Sequence, residues 1–449
     1  MSSTRRAAII LAAGQGTRMK SPLPKVLHRV GGRAMVDHAI DAAEALGCER
    51  IVVVVGSHSP DVRAHIVKRL GEAAIAVQDP PLGTGHAVLA ARDALAAFDG
   101  DIVITFGDVP LLRAEHLEAA FSGAGITLVG FEARDPTGYG RLLIDADGRL
   151  EAIVEQKEAS PDQLAVTACN SGVMAAPAAL LFSLLAEVRN DNVKGEYYLT
   201  DIVRLARDRG EPARAVFTDE DSVMGVNSQG DLATAEGVFQ KVQRETFMAA
   251  GVTMPAPDTV HFSWDTEVAA GSTIEPYVVF GPGVKIEGPA RVHSFSHLEG
   301  ATLAAGSAAG PFARLRPGAD LGADVKVGNF VEIKNASLAE GAKASHLTYI
   351  GDAAVGPRAN IGAGVIFSNY DGFFKYRTTL GPNAFIGSNV VLVAPVAVGE
   401  GAMVAAGSVV TRDIEPGDLV IARGRQEAKA GWAKRFMDVM RAKKAAKSV

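Results

Sequence analysis

The sequence has few cysteines and no long apolar run. Of its 449 residues only two are cysteine, Cys48 and Cys169, and they lie far apart. Disulfide frameworks and zinc sites need clustered cysteine or histidine, so neither is expected, and a reducing compartment is favoured. No uncharged stretch approaches the roughly 20 residues that span a bilayer. We therefore expect a cytoplasmic protein without membrane insertion.

The chain also lacks a strong charge imbalance. Its formal net charge is −6, which gives no reason to expect a nucleic-acid partner. Arg5-Arg6 before the apolar run Ala7–Gly14 imitates an export signal, but this run is short and leads directly into a glycine loop. Glycine is abundant, with 48 residues, which suits glycine loops and repeat folds. The length predicts two or three domains.

The stretch from Leu380 to Val410 repeats every six residues. Aliphatic residues recur at this spacing, namely Leu380, Ile386, Leu392, Val398, Val404 and Val410. Small side chains follow four residues after the first five, namely Ala384, Val390, Val396, Ala402 and Ser408. A period of six fits neither a strand nor an α-helix. It is typical of a coil with flat sides and one inward aliphatic residue per side, so we predict a hexapeptide β-helix.

The same period occurs upstream, with three breaks. The earlier members are Val268, Ile274, Phe280, Ile286, Val292, Leu298, Leu315, Leu321, Val327, Ile333, Val355 and Ile361. Three sides make one coil, and about nine coils at ~4.8 Å give a prism on the order of 40 Å long. Relative to whole sides, Leu298–Leu315 is one residue short, Ile333–Val355 four too long and Ile361–Leu380 one too long. Extra residues must leave the prism, so we expect a site near the breaks.

The N-terminal half alternates strand and helix patterns. The strand-like runs are Ala7–Ala12, Ile51–Val55 and Ile102–Phe106. Helical spacing at Val36–Leu46 separates the first two, which predicts a mostly parallel α/β sheet with ligands at the carboxyl ends of its strands. Asp231–Ala250 predicts a connecting helix. The expected domains are 1–229 for the α/β unit, 230–252 for the linker helix, 253–425 for the β-helix and 426–449 for a basic, solvated tail.

The loop after the first strand, Gly14–Arg18, can bring backbone N–H groups against an anion. A dinucleotide fingerprint does not fit, because Met19 stands where glycine is needed, and a Walker Gly-Lys-Ser/Thr is absent. Arg18 and Lys25 instead place two cations near the loop. Asp108 follows a buried strand, so its carboxylate could hold Mg²⁺ or cap the next helix, and the sequence leaves both open.

These segments resemble a known family. Leu11-Ala12-Ala13-Gly14-x-Gly16-Thr17-Arg18-Met19 with Pro24-Lys25 resembles the sugar-nucleotidyltransferase signature. With the hexapeptide half, the chain resembles the bifunctional N-acetylglucosamine-1-phosphate uridylyltransferase / glucosamine-1-phosphate acetyltransferase family. The resemblance implies a Rossmann-like domain joined by a helix to a left-handed parallel β-helix. It also implies acetylation of glucosamine 1-phosphate by acetyl-CoA, then UMP transfer from UTP with Mg²⁺, giving UDP-N-acetylglucosamine and pyrophosphate for the bacterial cell envelope.

The resemblance implies roles for residues in the uridylyl-transfer half. Arg18 and Lys25 would neutralise the triphosphate, and Asp108 with Asn227 would hold Mg²⁺. The residues expected to bind UTP or the UDP-sugar are Leu11, Ala13, Gly14, Gln78, Gly83, Thr84, Gly140, Glu155, Asn170 and Asn227. Gln15 and Phe106 depart from the family pattern, since relatives often have Lys at the first position and many have Tyr at the second. Details of the nucleotide contacts therefore stay open.

His346 is the expected general base for acetyl transfer, since the pKa of histidine lies near working pH. A lone histidine is more often structural, but Leu347-Thr348-Tyr349 and Asn369–Gly372 resemble the family's acetyltransferase site. The sugar-phosphate residues implied are Arg316, Lys334, Tyr349, Asn360 and Lys375. The acetyl-CoA residues implied are Ala363, Asn369, Tyr370, Ser388, Ala406 and Arg423. The family further implies a homotrimer with these sites between neighbouring prisms.

Two other functions remain open from the sequence. One is a single-activity sugar-1-phosphate nucleotidyltransferase whose β-helix is structural or binds an effector. His346 and Asn369–Gly372 weigh against it, because a structural prism needs neither. The other is a non-enzymatic interaction subunit, as in translation-initiation exchange factors. Asp108 and Asn227 weigh against that, because a scaffold has no use for a metal-holding pair.

Overall fold

The structure is a computed structural model that describes residues 5–121, 125–192 and 194–447. The chain divides into two compact units, Met1–Ala249 with His261–Asp265, and Ala250–Val260 with Thr266–Val449. The first unit has an α/β fold and the second is a parallel β-helix of the left-handed, hexapeptide type, so the predicted fold class is confirmed. Residues 1–4 of the predicted first domain and residues 448–449 of the predicted tail lie outside the described residues.

The first unit is built on a nine-stranded, mostly parallel sheet. Its strands, together with a separate two-stranded ribbon of β2 and β3, are β1 (Arg6–Ala12), β2 (Arg29–Val30), β3 (Arg33–Ala34), β4 (Arg50–Gly56), β5 (Ile75–Gln78), β6 (Asp101–Phe106), β7 (Ile126–Glu132), β8 (Arg141–Ile144), β9 (Leu150–Val154), β10 (Ala168–Pro177) and β11 (Ala213–Thr218). The order is β11-β7-β10-β6-β1-β4-β5, with β8 pairing β10 and β9 pairing β8. Only β10 runs antiparallel to its neighbours on this path.

Helices cover this sheet, as expected for a parallel sheet with continuous apolar strands. They are α1 (Met35–Ala45), α2 (Pro60–Leu70), α3 (Thr84–Ala90), α4 (Ala114–Glu118), α5 (Pro161–Leu164), α6 (Ala178–Leu185), α7 (Asp201–Asp208) and α8 (Gln229–Ala249). β1 lies between β6 and β4, and Ala7, Ala8, Ile9 and Ile10 are fully buried. The central strand therefore holds the loop that follows it at a fixed place at the carboxyl ends of the parallel strands.

A short return segment, residues 261–265, belongs to the first unit and is called the strap here. The side-chain amide of Gln240 on α8 donates to the backbone oxygen of Phe262 at 2.7 Å and accepts from its N–H at 2.8 Å. Trp264 donates its N–H to the Gly31 oxygen at 2.8 Å, and the Arg33 guanidinium lies 3.8 Å from its ring centre. Gln240 is 3% exposed and Phe262 2%. The strap thus supplies hydrogen-bond partners for the buried side-chain amide of Gln240 on α8.

The second unit winds through three flat faces. Strands of the first face are Glu267–Val268, Lys285–Ile286, Ala301–Leu303, Ala319–Leu321, Thr378–Leu380 and Val396–Val398. Those of the second are Thr273–Ile274, Arg291–Val292, Ala308–Ala309, Lys326–Asn329, Lys343–His346, Asn360–Ile361, Phe385–Ile386, Met403–Val404 and Leu419–Val420. Those of the third are Val279–Phe280, His297–Leu298, Arg314–Leu315, Ile366–Ser368, Val391–Val393 and Val409–Val410. Glu332–Leu338 and Tyr349–Val355 run from the third face onto the first. The second face has nine strands, as the repeat count predicted.

The coils differ in length, and the short one at Leu298–Leu315 is confirmed, because these residues pair in neighbouring coils. The predicted four-residue excess between Ile333 and Val355 is wrong. Ile333 pairs with Ile350, only 17 residues later. Strands that turn the corner place inward residues five apart instead of six, so the ladder changes phase there without any insertion.

The long coil follows Ile361. Its partner is Ile386, 25 residues later, so the predicted excess of one residue is also wrong. Phe367 is fully buried and continues the ladder after Ile361. The additional residues leave the prism as a hairpin between Ser368 and Thr378, called the 369–377 hairpin here. The tail ends in α9 (Trp432–Ala446), whose side chains are exposed along its length.

Candidate active sites

The first candidate site begins at the carboxyl end of β1. Leu11 and Ala13 are each 8% exposed, whereas Gly14 is open to solvent. Gly16 has a φ of 62°, and a Cβ there would lie 2.6 Å from the Lys25 Cβ. Only glycine allows this left-handed turn to approach Lys25 so closely. The glycine loop thereby brings the first strand against the first of the predicted cations.

Four predicted residues meet at this loop: Arg18 and Lys25 from the stretch after β1, and Asp108 and Asn227 from two later segments. Arg18 donates to the Asn227 side-chain oxygen at 2.8 Å, and the Lys25 ammonium donates to the same oxygen at 3.2 Å. Lys25 also forms an ion pair with the Asp108 carboxylate. The side chains of Lys25 and Asp108 are only 12% and 18% exposed. Val226 donates its N–H to the Asp108 backbone oxygen at 2.9 Å, and this bond holds the segment that carries Asn227 against the segment that carries Asp108.

Gln78, Gly83 and Thr84 also come together, at the end of β5 and the start of α3. The Gln78 amide is buried and donates to the Gly83 oxygen at 2.9 Å. Gly83 has a φ of 106°, and a Cβ there would lie 2.7 Å from the Tyr197 oxygen. Thr84 accepts a hydrogen bond from the Leu199 N–H at 3.1 Å. Gly83 and Thr84, which are predicted to bind UTP or the UDP-sugar, thus contact the segment before α7.

Glu155 and Asn170 line a cavity of about 200 Å³. The Asn170 N–H donates to the Gly140 oxygen at 2.9 Å, so Gly140, which is also predicted to bind UTP or the UDP-sugar, lies beside Asn170. Burial raises the pKa of Glu155. Phe106 also lines the cavity and lies two residues before Asp108, so the cavity adjoins the cation cluster along the chain.

Four further residues of the cavity wall had no role predicted from the sequence. They are Lys194, Glu196, Tyr198 and Thr200. They lie on the segment that precedes α7, and strand and helix patterns in the sequence do not indicate how close this segment is to Glu155. Gly172, with a φ of 85°, would place a Cβ 2.6 Å from the Phe106 ring, so glycine is needed where this ring closes the cavity.

The second candidate site surrounds the corner at His346. Its Nδ1 lies 2.8 Å from the Asn329 side-chain oxygen, 17 residues earlier and one coil below. An amide oxygen only accepts, so Nδ1 carries the hydrogen and Nε2 keeps a free lone pair. Thr348 donates to the His346 backbone oxygen at 2.8 Å and fixes the turn. The sequence missed Asn329, because only the coil length shows that it neighbours His346.

Three cationic residues cluster on the third face and the hairpin. Lys375 lowers the pKa of Lys334 most strongly, and Arg316 lowers it further, while Asp352 partly opposes them. Arg316 is paired with Glu332 at 2.7 Å. Holding two ammonium groups together without substrate is unfavourable, and an anion between them would relieve this. The cluster therefore suits a phosphate group.

The hairpin is fastened to the same face. Asn369 donates to Asp352 at 2.5 Å and lies 3.5 Å from the Tyr349 hydroxyl. A Cβ on Gly351 would lie 2.3 Å from that hydroxyl, so glycine makes room for it. Tyr370 is 58% exposed and donates its hydroxyl to the Gly372 oxygen at 2.5 Å. Tyr349 and Asn369 are thus together, whereas Tyr370 lies farther out on the hairpin.

A groove of about 390 Å³ crosses the upper second face. Asn360, Ser388 and Ala406 line it, together with apolar side chains. Arg423 donates to the Ala406 backbone oxygen at 2.6 Å. The Ala363 oxygen accepts from Asn389 at 2.7 Å, beside the groove. Asn360, expected with the sugar phosphate, therefore lies with the predicted coenzyme residues. The apolar wall, Phe385, Met403 and Leu419, was not anticipated from the ladder, because it consists of the outward residues.

Comparison with known proteins finds matches for both halves of this chain. Residues 8–192 match the MobA-like NTP transferase domain, and residues 377–412 match the bacterial transferase hexapeptide (six repeats). The "Bifunctional protein GlmU" of Caulobacter vibrioides is 58% identical, over 98% of this chain and 96% of the relative. Those of Maricaulis maris and Hyphomonas neptunium are 57% and 53% identical, over 99% and 100% of this chain and 99% and 98% of the relatives.

This chain belongs to the GlmU family. Membership confirms the predicted bifunctional transferase, with a nucleotidyltransferase domain followed by a hexapeptide acetyltransferase domain. The single-activity and non-enzymatic alternatives are thereby set aside. Among residues 5–121, 125–192 and 194–447, no helix combines the length and apolar character needed to cross a bilayer.

Proposed function

We propose that the cation cluster of the first unit transfers UMP from UTP to N-acetylglucosamine 1-phosphate. The observation that carries this is the meeting of Arg18 and Lys25, from the stretch after β1, with Asp108 and Asn227 from two distant segments. In-line attack of a sugar phosphate oxygen on the α-phosphorus breaks the bond to pyrophosphate and needs no covalent enzyme intermediate. Arg18 and Lys25 neutralise the phosphoryl oxygens, which is the main requirement of such a transfer.

We propose that Asp108 and Asn227 also hold Mg²⁺. Their oxygens already face one shared cation, the Lys25 ammonium, so the pair suits a positive ion. In the described part of the chain no three His, Cys, Asp or Glu side chains form a metal site. Mg²⁺ in proteins commonly has one or two protein ligands, with phosphate oxygens and water as the others. When bound, it supplies positive charge to the phosphates, while Lys25 keeps Asn227 and Asp108 oriented.

We propose that the second unit acetylates glucosamine 1-phosphate. The sugar amine attacks the thioester carbonyl of acetyl-CoA, so a C–N bond forms, the C–S bond breaks and the thiolate leaves. Nε2 of His346 takes the proton from the amine, because Asn329 holds the opposite nitrogen as a donor. Lys334, Lys375 and Arg316 hold the phosphate. The groove at Ser388 and Ala406, with Arg423 beside it, takes the coenzyme.

We also propose a cytoplasmic homotrimer. A hexapeptide prism offers flat faces that pack side by side, and cyclic symmetry closes such an assembly.

Both cysteines are free thiols, and burial raises the pKa of Cys48 to about 11, so this thiol stays protonated at neutral pH. A protonated thiol is a poor nucleophile, which supports a structural rather than a redox role for Cys48.

The test follows both releases in one protein. Purified enzyme receives glucosamine 1-phosphate, acetyl-CoA, UTP and Mg²⁺, and free thiol and pyrophosphate are measured separately. Asp108→Ala is expected to lose pyrophosphate release from added N-acetylglucosamine 1-phosphate and to keep thiol release. His346→Ala is expected to do the reverse. The exposed residues Asp147→Ala and His297→Ala serve as matched controls with both activities intact. Uridylyl transfer surviving in Asp108→Ala would refute the assignment, as would one substitution abolishing both reactions.

A further inference from the structure

The segment that leads into α8 carries Asn227, one of the two residues proposed to hold Mg²⁺. We call residues 226–231 the entry turn. The side-chain amide of Asn227 donates to the Gly225 oxygen at 3.4 Å. Because a carbonyl oxygen only accepts, this bond leaves the side-chain oxygen of Asn227 toward Arg18 and Lys25. The orientation of this side chain is therefore set, and its position depends on the backbone that carries it.

The carboxylate of Asp231 holds that backbone. One of its oxygens, Oδ2, accepts from the N–H of Asn227 and from the N–H of Ser228, each at 2.9 Å. Hydrogen bonds to an ionised carboxylate are roughly twice as strong as bonds between neutral groups. Asp231 is half-buried and lies in the first turn of α8. It thus holds the backbone of the proposed metal ligand from within the helix.

Part of this arrangement is an ordinary helix cap. Ser228 directly precedes α8, and its hydroxyl accepts from the Asp231 N–H at 3.2 Å. Leu232 donates its N–H to the Ser228 backbone oxygen at 3.0 Å. The reciprocal bonds between Ser228 and Asp231 have the pattern of a capping box. The bond from Asn227 lies outside this box, because Asn227 precedes the capping residue. Capping alone therefore does not account for it.

The first turn of α8 is weak by its own sequence. Gln229 and Gly230 begin the helix, and both are exposed. Glycine within a helix costs about 1 kcal/mol relative to alanine, since it loses more backbone freedom on folding. This turn therefore depends on side-chain bonds to stay closed. Without Asp231, the residue at its open end, Asn227, is the first to lose its place.

Other contacts of the entry turn reach the same site. Val226, which is fully buried, donates its N–H to the Asp108 backbone oxygen at 2.9 Å. The Gln229 side-chain amide donates to the Met19 backbone oxygen at 3.2 Å, and Met19 directly follows Arg18. The entry turn is thus bonded both to the strand end that carries one proposed metal ligand and to the loop that carries a proposed phosphate ligand. Displacing this turn changes the distance between the two proposed metal ligands.

We propose that Asp231 is a positioning residue for the Mg²⁺ pair, acting through the backbone of Asn227. This inference rests on the proposed uridylyl transfer. The bonded oxygen of Asp231 is engaged with backbone N–H groups, so its effect passes through Asn227 rather than through contact with a substrate. Removing a residue that orients a metal ligand typically weakens metal binding by about 10- to 100-fold.

The test compares Asp231→Ala with Ser228→Ala in the full-length protein. Both substitutions remove part of the same helix cap, and both are expected to lower the urea midpoint of the first unit. Only Asp231→Ala releases the N–H of Asn227. It is therefore expected to raise the Mg²⁺ concentration for half-maximal pyrophosphate release by roughly 10-fold or more. Ser228→Ala is expected to keep the Mg²⁺ requirement of wild type, and thiol release is unchanged in both variants.

A binding measurement makes the result independent of turnover. Mn²⁺ suits the same oxygen ligands as Mg²⁺, and its free ion is followed by electron paramagnetic resonance. With UDP-N-acetylglucosamine present and no pyrophosphate, Asp231→Ala is expected to bind Mn²⁺ more weakly than wild type by the same factor as in the kinetic measurement. Ser228→Ala is expected to match wild type.

A third variant keeps the test decisive if Asp231→Ala does not fold. Asp231→Asn keeps an acceptor oxygen but loses the charge, so its Mg²⁺ requirement is expected to rise about threefold, because neutral bonds are roughly half as strong. The inference is overturned if Asp231→Asn and any folded Asp231→Ala keep the metal dependence of wild type, or if Ser228→Ala matches Asp231→Ala. A wild-type protein that releases no pyrophosphate would instead refute the proposed function, and Mn²⁺ binding then judges Asp231 separately.

Discussion

At the scale of single residues, Glu155 combines two opposed requirements. Its carboxyl lines the cavity of the first unit, where burial raises its pKa. A raised carboxyl pKa means that the folded state binds the proton more tightly than the unfolded state does. The ionised side chain therefore lowers the free energy of unfolding above the raised pKa, and this penalty disappears below the unfolded pKa of about 4.3. In the proposed uridylyl transfer, a half-buried acceptor for the hydroxyls of the sugar substrate would be the compensating benefit.

Glu155→Gln is expected to separate these effects. The first unit gains thermal stability at pH 8 and shows no gain below about pH 4.3, where wild-type Glu155 is also neutral. The KM for N-acetylglucosamine 1-phosphate rises about tenfold, corresponding to one charge-assisted hydrogen bond. Differential scanning calorimetry and pyrophosphate release measure the two. Glu151→Gln, at an exposed position on β9 four residues before Glu155, is the control, and equal stability of Glu155→Gln and wild type at pH 8 would contradict the argument.

Some residue-level partners could be predicted from the sequence and others could not. Arg18, Lys25 and Asp108 stand next to a glycine loop or a strand end, and such positions are visible in the sequence. The partners of His346 and Asn369 are Asn329 and Asp352, each 17 residues earlier. A regular coil of 18 would have pointed to the wrong residues. These contacts follow from the local coil length, which depends on how each corner is turned.

At the scale of elements, the 369–377 hairpin is the part of the β-helix that leaves the repeat. The Asp371 carboxylate accepts from the N–H groups of Phe373 and Phe374 at 2.8 and 2.7 Å. These bonds lower the pKa of Asp371. Tyr376 donates its N–H to the Asn369 oxygen at 2.9 Å and closes the base. The hairpin is thus held in one conformation by its own hydrogen bonds, and it places Lys375 beside Lys334.

Asp371→Ala is expected to loosen this arm. The KM for glucosamine 1-phosphate rises about 3- to 10-fold, because losing a side-chain cap costs on the order of 1 kcal/mol. Asp371→Asn keeps an acceptor oxygen and restores most of the loss. Uridylyl transfer is unchanged in both, and Asp320→Ala on the first face has no effect on either reaction. Thiol release against sugar concentration measures this, and an unchanged KM in Asp371→Ala would disprove a positioning role for the turn.

The elements themselves were largely predictable. Continuous aliphatic runs gave β1, β4 and β6, and the six-residue period gave the β-helix. The size and place of the excursion were misjudged, because Phe367 was not recognised as the inward residue after Ile361. A bulky ring and an isoleucine fill the same layer of the prism, so a ladder of aliphatic residues alone loses the phase at such a position.

At the scale of the whole molecule, the strap makes the first unit discontinuous in sequence. The side chain of Gln240 on α8 forms two hydrogen bonds with Phe262, which lies beyond the end of that helix, and donates a third to the Glu236 carboxylate on α8 at 2.8 Å. The predicted linker boundary at residue 252 would remove this partner. A buried amide oxygen that loses its only donor costs about 1–3 kcal/mol, and loss of a buried phenylalanine costs about 3–5 kcal/mol.

A fragment of residues 1–265 is therefore expected to be more stable than one of residues 1–252. We expect the longer fragment to retain full uridylyl transfer and the shorter one to unfold at a lower urea concentration. Chemical denaturation with the same protein concentration and Mg²⁺ compares the two. Because both fragments contain all the residues of the proposed uridylyl-transfer site, identical midpoints would show that the strap contributes nothing to stability.

The strap also determines where the two tryptophans of this chain are found. Trp264 belongs to the first unit, beneath the Arg33 guanidinium, whereas Trp432 begins α9 in the second. Each unit thus contains one indole fluorophore, in different electrostatic surroundings. Replacing the exposed Trp432 with phenylalanine gives a protein whose emission reports on the first unit alone. Loss of structure in that unit can therefore be followed optically in the full-length chain, without an added dye.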